Sequence, residues 1–169
     1  RYYSYTRLAA DGTVRVGGEN HTVSGTAWLD REWGSSSMGP EQQGWDWFAL
    51  QLDDGRDVMF YQLRGPDGEP DPRSAGVVVA EDGGAARLSA DDVSVTPQRR
   101  WRGPEGRRYP VEWRLRIPDH ELDLVVAAVV DNQALSGAFR YWEGAVRVSG
   151  DNGSPDGRGY VELTGYPPE

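Results

Sequence analysis

Val111-Glu112-Trp113-Arg114-Leu115-Arg116-Ile117 alternates apolar and charged side chains without a break. A period of two puts Val111, Trp113, Leu115 and Ile117 on one face of an extended strand and the three charges on the other. The same alternation recurs in Ala145-Val146-Arg147-Val148-Ser149 and in Tyr160-Val161-Glu162-Leu163-Thr164. A helical face would need apolar residues three and four apart, and no amphipathic helix of that kind stands out.

Outward from this stretch, 22 glycines and 11 prolines cut the chain into short segments rich in Val, Tyr, Trp and Thr, the vocabulary of strands and turns. Asp53-Asp54-Gly55 separates Trp45–Leu52 from Val58–Leu63. Glu81-Asp82-Gly83-Gly84 and Gly103-Pro104-Glu105-Gly106 punctuate in the same way, since Asp and Gly accept the positive φ of tight hairpins. Gly65–Ser74, Asp151–Asp156 and Ser35–Gln43 are expected to be longer loops. Roughly nine or ten strands at short spacing, joined by hairpins without long crossovers, predict an all-β antiparallel barrel of the up-and-down kind. No linker or fixed-period repeat divides residues 1–169, so a single domain is expected.

Composition narrows the function. Acidic residues outnumber basic ones 27 to 18, for a net charge of −9. Phosphate backbones demand clustered positive charge, so nucleic acid is not an expected partner. Every basic residue other than histidine is arginine. The longest apolar run, Leu124 to Val130, falls far short of the roughly 20 residues of a membrane-spanning helix. No cysteine is present, which excludes disulfides, thiolate nucleophiles and iron–sulfur clusters. His21 and His120 fall in separate polar turns, and no metal site or cofactor is expected. A Gly-x-Ser-x-Gly elbow, a phosphate loop and a dinucleotide fingerprint are all missing.

The densest chemistry lies in Gly25-Thr26-Ala27-Trp28-Leu29-Asp30-Arg31-Glu32-Trp33, in Gly44-Trp45-Asp46-Trp47-Phe48, and in Val58-Met59-Phe60-Tyr61-Gln62-Leu63-Arg64. The first two hold four of the seven tryptophans. Indoles on adjacent strands build a flat apolar wall suited to an extended hydrophobic ligand. Trp28, Asp30 and Glu32 share one strand face, and Arg31 and Trp33 share the other. Asp46 points opposite to Trp45 and Trp47. A carboxyl set among aromatics has a raised pKa and can donate a proton. On this pattern Asp30, Glu32 and Asp46 are the candidate acids. Trp28, Arg31, Trp33, Trp45, Trp47, Tyr61 and Trp142 are the candidate ligand-binding residues. The same residues also fit a structural role, with tryptophans closing a barrel end and the acids pairing with arginine. For Trp113, between Val111 and Leu115, core packing is expected.

Tyr2-Tyr3-Ser4-Tyr5-Thr6-Arg7-Leu8, Val23–Ser35, Gly44–Leu52 and the ending Gly159–Tyr166 together resemble the AttH-like family along the whole chain. That family includes hydroxyneurosporene synthase, a carotenoid hydratase, and many proteins described only as secreted hydrolases; some fungal Diels–Alder cyclases are similar in fold. The resemblance implies a lipocalin-like barrel, usually one of two in tandem, and this chain is similar to the second. It implies a second lipocalin-like domain as partner, a hydrophobic small-molecule ligand, and a periplasmic or secreted setting, although no signal peptide is visible. In the hydratase subgroup an alkene is protonated and water captures the cation. A histidine and a tryptophan two apart fall at Arg31 and Trp33, and a tyrosine and an aspartate two apart fall at Tyr61 and Leu63. Trp33 and Tyr61 match. Arg31 and Leu63 depart from the pattern, which counts against carrying the hydratase mechanism over. The leading expectation is therefore binding of an extended hydrophobic small molecule, an isoprenoid, polyketide or lipid, in an aromatic-lined pocket, with a hydratase or cyclase, or a purely structural half, as alternatives.

Overall fold

A computed structural model of the chain describes residues 1–34, 39, 41–137 and 140–168. Of the loop expected over Ser35–Gln43, Ser35, Ser36, Ser37, Met38 and Pro40 lie outside the described residues. The strands are β1 (Tyr2–Val16), β2 (Glu19–Glu32), β3 (Gly44–Leu52), β4 (Asp57–Arg64), β5 (Ala75–Val79) and β6 (Ala85–Ser89). They continue with β7 (Ser94–Arg102), β8 (Arg108–Ile117), β9 (Leu122–Ala128), β10 (Ala134–Ser136), β11 (Arg140–Gly150) and β12 (Gly157–Thr164). Among the described residues only single 3-10 turns interrupt them, and no helix there is long and apolar enough to cross a membrane.

The chain divides into two compact units, Arg1–Ser37 and Met38–Glu169. The first is a two-stranded ribbon, β1 against β2, running from Tyr2↔Glu32 to Val16↔Glu19 with one register shift between Tyr5 and Leu8. Gly17 and Gly18, at φ +60° and +92°, make its turn, a conformation that side chains rarely tolerate.

The second unit is one antiparallel sheet in the order β6-β5-β4-β3-β12-β11-β9-β8-β7, with β10 added on β11. The order is a meander except where β3 meets β12, register Leu52↔Gly157 to Asp46↔Leu163, and where β11 pairs β9 past the short β10. Apart from β10, the strands from β3 to β12 thus run up and down around one curled sheet, a barrel left unzipped between β6 and β7. Those two strands are joined by a 3-10 turn at Ala90–Asp92 instead of a ladder. The edge strand β7 carries Pro97 and two register shifts, devices that blunt an open edge. Asp53–Gly55, Glu81–Gly84 and Gly103–Gly106 all form the expected turns, with Gly55, Gly83 and Gly106 at positive φ.

Alternation decides what goes inside. Phe48, Leu50, Val58, Phe60, Val111, Trp113, Leu115, Ile117, Leu124, Trp142 and Val161 are all buried in a single apolar cluster. Trp113 stands edge-on to Phe48 at 5.5 Å and to Trp142 at 6.2 Å between ring centroids. The concave side of the sheet is therefore filled by its own side chains. The Trp113 indole N–H has no hydrogen-bond acceptor there, a cost of about 1–3 kcal/mol that the packing of so large a ring has to outweigh.

One end of this interior is polar. Asp46 of β3 is 1% exposed and paired with Arg64 of β4, whose Nε lies 3.1 Å from Oδ1. The Tyr166 hydroxyl donates across both carboxylate oxygens at 2.9 and 3.0 Å. Arg64 also lies 4.1 Å from the Tyr166 ring centroid and donates to the Thr164 carbonyl. Gly165, at φ +74°, lets the chain turn inward to place Tyr166; a Cβ there would stand 2.1 Å from the Gln43 carbonyl oxygen. Burial raises the Asp46 carboxyl above its ordinary range, with the Arg64 charge and the Tyr166 hydroxyl acting against it. Burial, and then the Asp46 charge, push the Tyr166 hydroxyl well above its ordinary value.

Trp113→Ala should lower stability by roughly 3–5 kcal/mol, read as a shift in the urea midpoint, because the site cannot collapse around the lost ring. A loss under about 1 kcal/mol would show that the ring does not hold the interior. Tyr166 holds its proton in the folded chain beyond 10.0, where the unfolded phenol ionises. Its stabilising contribution is thus complete below that pH and lost as the pH rises above it. Thermal melts should accordingly show a shallower alkaline decline in Tyr166→Phe than in the parent, and parallel declines would contradict the assignment.

Candidate functional site

Two of the candidate residues meet in the ribbon. Asp30 accepts hydrogen bonds from Trp28 Nε1 at 2.9 Å, from the Tyr2 hydroxyl and from Ser4 Oγ. These donors come from both strands, so the carboxylate ties β1 to β2. Glu32 lies on the same side, exposed at the ladder's end opposite Tyr2.

The other side of the ribbon carries Arg31 and Trp33. Cross-strand pairing adds Tyr3 opposite Arg31, Tyr5 opposite Leu29, and Leu8 opposite Ala27; farther along come Val23, Val14 and Val16. Tyr3 packs edge-on against Trp33 at 5.8 Å and against Tyr5 at 5.4 Å. Every large apolar side chain on this side is at least 39% exposed. Such a continuous apolar face on one ribbon exceeds the scattered exposed side chains that need no explanation.

In the sheet, the alternation of β3 sends Asp46 inward and Trp45 and Trp47 to the outer face, where both are half-buried. Register puts Trp47 between Tyr61 of β4 and Glu162 of β12. Trp45 sits opposite Leu63, donates its indole N–H to Glu162 Oε1 at 2.7 Å, and lies 6.2 Å from the ring of Tyr141. Glu143 of β11 stands directly opposite Glu162. Two like charges facing across a ladder repel, and neighbouring donors offset this: Trp45 serves Glu162, and the Tyr160 hydroxyl lies 3.3 Å from Glu143 Oε2. Burial, followed by the two glutamates, raises the Tyr141 and Tyr160 hydroxyls. The outer face of β4, β3, β12 and β11 is thus a row of five aromatic rings beside two carboxylates.

Trp142, one residue from Tyr141, points inward into the core and donates to the Asp131 carbonyl at 2.7 Å. Glu143, Tyr160 and Glu162 were not site candidates by sequence because an alternating strand gives their side but not their neighbours. Their signal was parity: with Trp142, Val161 and Leu163 assigned inward, Tyr141, Glu143, Tyr160 and Glu162 must face outward.

At the polar end of the interior a cleft of about 330 Å³ opens among Gln43, Arg107, Arg140, Thr164, Tyr166 and Pro167. A pocket of about 20 Å³ adjoins the same arginines, with Glu105, Tyr109 and Leu135 in its lining. Sequence reading took Gly103–Gly106 only as a turn. Among the described residues no group of three or more His, Asp or Glu side chains is placed to hold a metal ion.

Comparison with known proteins matches residues 1–166 to the model of the AttH-like family. A crystal structure of an AttH-type protein from Nitrosomonas europaea is similar at 39% identity with a TM-score of 0.86, over 98% of this chain and 52% of that one. Kievitone hydratase from Nectria haematococca has the same fold at 23% identity and a TM-score of 0.77, over 99% of this chain and 53% of that one. No curated protein matches. This chain spans about half the length of the solved relatives. With the family model covering the ribbon, the outer aromatic row and the Asp46–Tyr166 cluster alike, the chain belongs to the AttH-like family.

Proposed function

We propose that this domain binds an extended hydrophobic small molecule, an isoprenoid, polyketide or lipid, on the outer aromatic face of its sheet. The observation that carries this reading is the row Trp45, Trp47, Tyr61, Tyr141 and Tyr160 on the side of the sheet that does not face the core. Rigid rings give a large contact area at little entropic cost, and Glu143 and Glu162 provide acceptors for a polar end. The interior, in contrast, is occupied by Phe48, Phe60, Trp113 and Trp142.

A second lipocalin-like domain is the proposed partner. A two-stranded ribbon is marginal by itself in water, yet this one exposes Tyr5, Val14, Val16, Leu29 and Trp33 on one side. An apolar face of that kind is suited to burial against another domain, and the solved relatives are about twice this chain's length.

Catalysis is the alternative, and the placement of Glu162 favours it. A carboxyl beside the Trp45 indole is suited to protonating an alkene, and indole faces stabilise the resulting cation. Asp30, Glu32 and Asp46 remain candidates in the same role; Asp46 is held by Arg64 and Tyr166 on the opposite side of the sheet from the aromatic row.

Retinol titrated into the protein should quench tryptophan fluorescence saturably, and Trp47→Ala should weaken binding by about tenfold or more. Unsaturable quenching, or an unchanged affinity in the variant, would remove the binding reading. For the alternative, incubation with a lycopene-like polyene should yield a hydroxylated product. The yield should drop by at least about a hundredfold in Glu162→Gln. Equal yields from Glu162→Gln, Asp30→Asn, Glu32→Gln and Asp46→Asn would rule out an acid mechanism on these residues.

A further inference from the structure

Among the described residues, Glu105 is one of three non-glycine residues at positive φ, at +60° on the tip between β7 and β8. L-residues resist this conformation, and an outlier held in place prompts the question of what holds it. Here two guanidinium groups do. Arg140 Nη1 hydrogen-bonds Glu105 Oε1, and Arg107 Nε stands 3.5 Å from Oε2. The Glu105 carboxyl is lowered from its ordinary value chiefly by the Arg140 hydrogen bond.

One of the two arginines is not fully satisfied by this arrangement. Arg107 commits Nη1 to the Tyr166 carbonyl, and its buried Nε makes only the 3.5 Å ion-pair contact with Glu105, without a well-formed hydrogen bond. Arg140 is about half exposed. Both line the cleft of about 330 Å³ at the mouth of the curled sheet, whose remaining walls include Tyr166 and Pro167. Glu105 is absent from that lining and belongs to the small pocket alongside.

Local charge agrees. Residues 99–108 hold five arginines and one acid in a chain of net charge −9. Arg99 is paired with Asp131 and Glu112, and the excess of the remaining four over Glu105 favours an approaching anion. Guanidinium groups match the planar two-oxygen geometry of a carboxylate, and Glu105 shows that this pair already receives one. The cleft is open to solvent, so a short organic acid can enter it with its tail along Tyr166 and Pro167.

We infer that the mouth cleft binds the carboxylate of a small organic acid, received by Arg140 and Arg107 in place of Glu105. Glu105 then acts as an internal occupant that the ligand displaces, and the site is separate from the outer aromatic face.

Hexanoate is the probe, titrated into the ¹⁵N-labelled full chain while the arginine Nε–Hε resonances are followed. Saturable shifts are expected for two arginines, with at least about tenfold weaker binding in Arg140→Gln. Glu105→Gln provides the sharper arm: removing the internal competitor should tighten hexanoate binding several-fold, about fivefold or more. That result does not follow from a merely structural ion pair, and circular dichroism checks that each variant keeps its fold. Hexylamine should not bind, and inorganic phosphate should bind at least about tenfold more weakly than hexanoate. Weaker binding in Glu105→Gln, no saturable shift in the parent, or equal affinity for phosphate would overturn the assignment.

Discussion

Trp113 meets Phe48 on one side and Trp142 on the other, and that three-ring contact fills the concave side of the sheet. A lipocalin-like shape suggests a cup, but this cup is occupied by its own aromatic side chains. Among the described residues the core leaves over the outer face of β3, β4, β11 and β12, the apolar side of the ribbon, and the mouth. The same packing also explains why polar groups gather at one end. Asp46 and Gln62 continue the inward-facing rows of β3 and β4 past the last apolar layer, so Arg64 and Tyr166 are required there to satisfy the buried carboxylate.

The fold was legible because it is written in short-range features. Alternation along Val111–Ile117 and the Asp-Gly and Gly-Pro turns need only neighbouring residues, and they specified strands, faces and hairpins. Two things needed longer range. The ribbon strands, 15 and 14 residues long, exceed what Gly and Pro punctuation suggested. The closing pair, β3 with β12, joins segments that nothing local connects.

The candidate site was legible by residue type and less so by side. Trp45, Trp47 and Tyr61 do lie together, and Asp46 does face away from them. What Asp46 does inside depends on Arg64, 18 residues on, and Tyr166, 120 residues on. No window along the chain contains all three. Trp142 and Tyr141 differ by one position, and the sheet sends them to opposite faces. Arg107, Arg140 and Glu105 escaped notice because an arginine-rich turn resembles any solvated tip until the structure supplies a cleft beside it. Their pairing is a partly exposed one, of the kind that contributes little to stability, whereas the Asp46–Arg64 pair is sealed and breaking it would leave a charge stranded.

The pairing of β3 with β12 has a consequence for how the sheet comes into being. Leu52 and Gly157 are neighbours across a ladder yet lie far apart along the chain. Closing so long a loop is entropically costly and slows folding. On the ribosome, which delivers the N-terminal part first, β3 emerges and must wait, one edge unpaired, until β12 has been made. The strand that carries Trp45, Asp46 and Trp47 thus keeps an open edge while residues 53–156 are made, and chaperone protection is of use there.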